Sequence, residues 1–83
     1  MNYKITEEGM KTLSKLPKSV QSKILDKLDL IFTFKNPLSY AKKLNNFELG
    51  DYRIRIGDYR ASFDVENKIA KFLKFGHRKD FYK

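Results

Sequence analysis

Four arginines, Arg53, Arg55, Arg60 and Arg78, fall among the last 34 of 83 residues, whereas residues 1 to 49 hold nine lysines and no arginine. Net charge does not separate the halves, since nine basic against five acidic residues leaves +4 in each. The choice of cation does. Guanidinium is a planar fork suited to bidentate phosphate contacts and to stacking on bases, whereas lysine is a flexible point charge. Three of the arginines sit in two alternating runs, Tyr52-Arg53-Ile54-Arg55-Ile56 and Tyr59-Arg60-Ala61-Ser62-Phe63, separated by Gly57-Asp58. A Gly-Asp pair between such runs predicts a two-residue hairpin. The register then sets Arg55 opposite Arg60 and Arg53 opposite Ser62. Like charges across strands cost a few tenths to about 1 kcal/mol, so a cationic face asks for a reason beyond folding, although arginine also suits exposed strands for the fold alone. A second turn at Glu66-Asn67 pairs Ser62 with Lys71 and adds Lys71 to that face. Near the end, Gly76-His77-Arg78-Lys79-Asp80-Phe81-Tyr82 offers a near-neutral proton carrier, a phosphate clamp and a stacking phenol. By themselves these residues equally suit a solvated histidine and an aromatic anchor for a terminus.

Composition narrows the chemistry. The net charge of +8 favours a polyanionic partner, nucleic acid or an acidic protein, over small acidic metabolites. The chain has no cysteine and one histidine, which removes disulfides, thiolate nucleophiles and Cys- or His-cluster metal sites; no cofactor is expected. The charged N-terminus MNYKITEEGMK has no apolar signal core, and no apolar run approaches the roughly 18 residues that span a bilayer. The expectation is a cytoplasmic protein with no membrane partner, its residues 1–83 forming one domain with 41% apolar residues for a small core.

The elements that position the arginines follow from periodicity. Tyr3 and Ile5 alternate against Asn2 and Lys4 and suit a first strand. Thr6 ahead of Glu7 and Glu8 suits a helix start, with Met10, Leu13 and Leu16 on one stripe until Pro17. Ser19 is the expected cap of a second helix whose Val20, Ile24, Leu28 and Ile31 share a face with Leu25 and Phe32. The short break between them predicts an antiparallel helical hairpin. Asn36-Pro37 ends the helical region. Leu38 to Leu49, with Leu38, Tyr40, Leu44, Phe47 and Leu49, reads as a packed connector. From Gly50 the period drops to two, predicting a three-stranded antiparallel meander ending near Phe75, followed by a short tail, polar apart from Phe81 and Tyr82. The apolar face of Tyr52, Ile54, Ile56, Ala61, Phe63 and Val65 needs the helices as cover, which predicts an α+β two-layer sandwich of a helical hairpin on an antiparallel β-sheet. Ile69, Leu73 and Phe75 either share the arginine face or belong to a strand buried on both sides.

The order of elements, with Leu13-Ser14-Lys15-Leu16-Pro17, Asn36-Pro37, Lys43-Leu44, the hairpin Tyr52 to Arg60 and the closing Gly76-His77-Arg78 and Phe81-Tyr82, resembles the RelE/ParE superfamily of toxin–antitoxin toxins. The likeness covers nearly the whole chain. It implies a β-α-α-β-β-β fold and, for RelE-like members, metal-independent cleavage of mRNA in the ribosomal A site by 2′-hydroxyl attack, which inhibits translation. By that resemblance Arg53 and Arg55 occupy positions linked to activating the hydroxyl and holding the scissile phosphate. Arg60 stabilises the phosphorane-like charge, Arg78 protonates the leaving group or binds phosphate, and Tyr82 orients or stacks on a base. His77 stands where some relatives have lysine. Arginine is a poor general base, which points Arg53 and Arg55 toward charge stabilisation and leaves His77 as a candidate for proton transfer. The RNA contacts implied are Arg53, Arg55, Arg60, Lys71, Arg78 and Lys79. The partners implied are a cognate antitoxin, for which the apolar residues of the last strand offer grip, mRNA on the ribosome, and operator DNA only through the antitoxin complex. A further C-terminal helix carried by some relatives is not expected here. ParE-like gyrase inhibitors and non-catalytic members that bind only antitoxin and DNA share the fold and remain the alternatives.

Overall fold

A computed structural model of the chain describes residues 1–46 and 49–82. The elements run β1 (Asn2–Ile5), α1 (Glu7–Ser14), α2 (Lys18–Ile31), a short 3-10 turn (Pro37–Tyr40), β2 (Ala41–Asn46), β3 (Gly50–Ile56), β4 (Tyr59–Glu66) and β5 (Ile69–His77). They form a five-stranded sheet in the order β1-β5-β4-β3-β2. Strands β2 to β5 are an antiparallel meander and β1 joins β5 in parallel. The two-layer α+β architecture is as expected, with two additions. The region read as a connector supplies a whole edge strand, β2, and the parallel β1 makes the sheet mixed. Leu49 is buried and Leu38 packs against the core, but Tyr40 is exposed and its ring lies 5.0 Å from that of Phe34. Phe47 lies outside the described residues. No helix among the described residues is long and apolar enough to cross a membrane.

Thr6 caps α1 as its type suggests, its Oγ1 accepting the Gly9 N–H at 3.0 Å. The inward face of α1 differs from the expected stripe: Gly9 and Leu13 are buried, while Met10 is 49% exposed. Gly9 lies so near β5 that a Cβ would stand 2.3 Å from the Phe72 carbonyl oxygen, so α1 meets the sheet backbone to backbone. Where β1 runs out, Thr12 takes over its hydrogen-bonding role: its Oγ1 donates to the Gly9 carbonyl at 2.8 Å and accepts the Phe75 N–H at 2.9 Å. Ser19 is not the cap of α2. The helix begins two residues earlier, at Lys18 behind Pro17, whose carbonyl accepts the Val20 and Gln21 N–H groups at 3.0 Å each.

The helices cover one face only. Leu13, Ile24, Leu28 and Ile31 pack on Ile54, Ala61, Phe63, Ala70, Phe72 and Phe75, and the rings of Phe63 and Phe72 lie 4.8 Å apart. Each leucine, isoleucine and phenylalanine among these contributes about 1.5 to 3 kcal/mol relative to exposure, so the face under the helices drives folding and the opposite face is left clear of them.

Tyr3 ties β1 to α2, its hydroxyl donating to Asp29 Oδ1 at 2.6 Å. Burial first, then that bond and the Asp29 charge, push the phenol up to about 12. An unfolded tyrosine titrates near pH 10, so the stability tied to the protonated phenol is complete below that pH and is lost as pH rises toward 12. In urea titrations the stability of wild type relative to Tyr3→Phe is expected to be constant below about pH 10 and to fall from there toward about pH 12. A constant difference across that window would contradict the coupling.

Candidate functional site

Both turns of the meander decide which side chains share the open face. The first is as expected, with Gly57 at φ +60° and the pairs Ile56 with Tyr59, Arg55 with Arg60, Ile54 with Ala61 and Arg53 with Ser62. The second is not at Glu66-Asn67. Asn67 and Lys68 carry the positive φ angles, 54° and 62°, and Glu66 pairs with Ile69. That one-residue slip moves Lys71 opposite Asp64 instead of Ser62. A bulge beyond Phe72 then shifts the register again, so that Lys74 faces Ser62 and Phe75 faces Ala61. Without the extra residue Phe72 and Phe75 would lie on opposite faces. With it both pack under the helices, so Phe75 does not share the arginine face, whereas Leu73 lies on the open side beside Gly50 and Asp64.

The open face therefore carries cross-strand rows. One is Arg55, Arg60 and Gly76; the next is Lys42, Arg53, Ser62 and Lys74; a third holds Asp64, Lys71 and Lys4. Lys71 stands two rows from the Arg55–Arg60 pair and is ion-paired to Glu66 at 3.2 Å. Lys42 and Lys74 were not legible as members of this face. Lys42 needs β2 to exist, and Lys74 needs the bulge.

Arg60 is 7% exposed. Its Nη1 donates to the carbonyls of Gly57 at 3.0 Å and Tyr59 at 2.9 Å, so the hairpin holds the guanidinium in place. Burial first, then the charges of Arg55 and Arg53, with a further contribution from Arg78, hold it below the usual arginine range, while Tyr82 acts in the opposite sense. Arg53, Arg55, Arg78 and Tyr82 thus all lie within electrostatic reach of Arg60. Among the described residues none of Arg53, Arg55 and Arg60 forms an ion pair with a carboxylate. Arg53 Nε and Ser62 Oγ are buried with no protein hydrogen-bond partner among the described residues.

The tail curls over this face instead of leaving the body. The Arg78 N–H donates to the Asp58 carbonyl at 2.7 Å and its Nε lies 3.7 Å from Asp58 Oδ1. Phe81 is fully buried and Tyr82 is 55% exposed. His77 goes elsewhere: it pairs with Tyr59, on the helix side of the sheet, its ring 5.3 Å from the Tyr59 ring. Its Nδ1 accepts the Lys79 N–H at 3.1 Å. Lys79 is exposed, and among the described residues it meets the site through its backbone N–H alone. Among the described residues no three His, Cys, Asp or Glu side chains gather where they could hold a metal ion.

No protein-family model and no curated protein matches the chain. Solved structures do. The toxin–antitoxin complex RelBE2 from Mycobacterium tuberculosis superposes with a TM-score of 0.75 at 23% identity over 93% of this chain and 96% of that one. The RelB–RelE antitoxin–toxin complex from Methanococcus jannaschii gives 0.70 at 22% over 94% and 93%. The archaeal RelE–RelB complex from Pyrococcus horikoshii OT3 gives 0.69 at 30% identity over 95% of this chain and 96% of its counterpart. The chain belongs to the RelE-like toxin family. Within this RelE-like chain, the resemblance read from the hairpin and the closing Gly76-His77-Arg78 corresponds to two physical structures, the Arg55–Arg60 pair and the tail fastened to Asp58.

Proposed function

We propose that the chain is the toxin of a type II toxin–antitoxin pair and cuts mRNA in the A site of the ribosome, using residues 1–83 as one domain in the cytoplasm. The observation that carries this reading is the set of arginines on neighbouring cross-strand positions with no carboxylate partner among the described residues. Such a face fits a phosphodiester whose negative charge grows as the 2′-oxygen bonds to phosphorus and gives its proton to water, while the bond to the 5′-oxygen breaks and that oxygen takes a proton from water, leaving a 2′,3′-cyclic phosphate and a 5′-hydroxyl. Arg60, already held by two carbonyls, meets that charge with little reorganisation. Arg53 and Arg55 hold the scissile phosphate from neighbouring positions of one strand, across from Ser62 and Arg60. Arg78 binds phosphate at the leaving-group side, and the exposed Tyr82 stacks on a base. Lys42 extends the track for the RNA backbone, while Lys71 and Lys79 add peripheral attraction. A cognate antitoxin covers the cationic face, and operator DNA is reached only through that complex.

In this reading His77 holds the tail turn through Nδ1 and takes no part in proton transfer. Asparagine can offer an acceptor near the same place. At a single pH near about 8 the cleavage rate of His77→Asn is expected to stay within a few-fold of wild type, whereas removing a group that transfers a proton costs roughly 10² to 10⁴ in rate. A loss of that size with the fold intact would return the proton transfer to His77.

The function is tested by primer extension on mRNA paused on purified 70S ribosomes, beside the same message free in solution. Cuts confined to the A-site codon of the ribosome-bound message support it. Intact message with folded protein would overturn it, and inhibition of gyrase supercoiling by the same preparation would give the fold its other known target class.

A further inference from the structure

Lys74 reaches the open face only because of the β5 bulge, and there it does not point to solvent as a strand lysine ordinarily does. Its Nζ donates to the Phe81 carbonyl at 2.6 Å and stands 5.2 Å from the centre of the Phe81 ring. The ring is fully buried and rests over Gly76, where a Cβ would come within 3.6 Å of Phe81 Cδ1. The Phe81 N–H donates to the His77 carbonyl at 2.9 Å. Both polar groups of the Phe81 backbone are thus fastened, one to the strand end and one to the ammonium. The next residue is Tyr82, whose ring meets the Phe81 ring edge-on at 5.1 Å.

We propose that Lys74 is a positioning residue, a latch that holds the Phe81 carbonyl and ring so that Tyr82 is presented beside Arg60. The inference rests on the proposed RNA cleavage for its catalytic consequence, but the latch has its own readout. A cation donating to a carbonyl while lying over the same residue's ring fixes the direction of the peptide that follows. Loss of the ammonium frees that peptide while leaving the arginines in place.

Lys74→Met keeps the aliphatic stem and removes the charge; Lys74→Arg restores a donor. Two measurements are made on the folded protein, amide hydrogen exchange by NMR and the single-turnover rate of A-site cleavage against ribosome concentration. In Lys74→Met the Phe81 amide is expected to exchange at least about tenfold faster while the Arg78 amide, bonded to Asp58, keeps its protection. The maximal rate is expected to fall on the order of 10- to 100-fold with the half-saturating ribosome concentration unchanged, and Lys74→Arg to recover most of both. Unchanged exchange at Phe81 overturns the latch. A lost rate with unchanged exchange overturns positioning in favour of direct contact with RNA, and faster exchange with an unchanged rate overturns it too. If the wild type cuts no message, the functional reading falls alone: faster Phe81 exchange in Lys74→Met still supports the latch, and unchanged exchange still overturns it. Should Lys74→Met not fold, Lys74→Gln, too short to span the same bond, is read by the same criteria.

Discussion

Arg60→Ala is expected to lower the single-turnover rate of A-site cleavage by about 10² to 10³, some 3 to 4 kcal/mol of transition-state stabilisation, with little change in folding stability. Two opposing terms set the stability. Truncation leaves the Gly57 and Tyr59 carbonyls without their Nη1 donor, a loss of about 1 to 3 kcal/mol where water cannot replace it. It also removes a buried cation from the repulsion of Arg55, Arg53 and Arg78. Gly57 is exposed and both bonds are only partly buried, so water replaces much of the lost donor and the relief of repulsion offsets what remains. The rate has no such compensation, because no other described cation is held by the same two carbonyls. Arg60→Lys retains charge but not the fork and is expected to recover only part of the rate. Single-turnover cleavage and urea unfolding on the same preparations check this. A rate loss that tracks a loss of stability would make Arg60 a structural residue of the hairpin.

Gly9→Ala carries the largest expected effect on stability, and its sign opposes helix propensity. Alanine within a helix is ordinarily favoured over glycine by about 1 kcal/mol. Here the added methyl would stand 2.3 Å from the Phe72 carbonyl oxygen and 3.2 Å from Ile5 Cγ2, and the first of these neighbours is backbone. Helix α1 must retreat from β5, loosening the bonds of Thr6 to the Phe72 carbonyl and of Thr12 to the Phe75 N–H. Overpacking of this kind costs about 1 to 3 kcal/mol, which lowers the melting temperature by roughly 5 to 20 °C in a domain of this size. Met10→Ala, at the next position but 49% exposed, is expected to change it little. Thermal melts of the two variants side by side check the claim, and a Gly9→Ala protein as stable as wild type would contradict it.

The hairpin was legible in the sequence because two requirements agreed, strict alternation on both arms and a turn that needs positive φ. That agreement set Arg55 against Arg60 correctly. The next turn failed because its two positive-φ residues are Asn67 and Lys68, and lysine gives no signal for that conformation. The error moved Lys71 to another row. The bulge was hidden for a related reason, since Phe72-Leu73-Lys74-Phe75 breaks alternation and only the need to bury both phenylalanines against Phe63 and Ala61 explains the extra residue. Strand β2 was missed because Ala41-Lys42-Lys43-Leu44 shows no period of two at a sheet edge with little to bury. In α1 the close approach of helix to strand made glycine an inward residue, which a hydrophobic stripe cannot reveal. The arginine cluster was therefore visible at its centre, where local pattern suffices, and hidden at its margins, where the entry of Lys42 and Lys74 and the departure of His77 to the other face depend on pairing between distant segments.

The proposed chemistry needs the message's own 2′-hydroxyl beside the arginine face, and that requirement can be tested on a single atom. A message paused on 70S ribosomes is prepared as full RNA and with one 2′-deoxynucleotide at the mapped A-site cut, and both are incubated with the wild-type protein. The expected result is a cut in the RNA message and none at that position in the substituted one. Cleavage of both at the same bond would contradict attack by the 2′-hydroxyl and the role assigned to Arg53, Arg55 and Arg60.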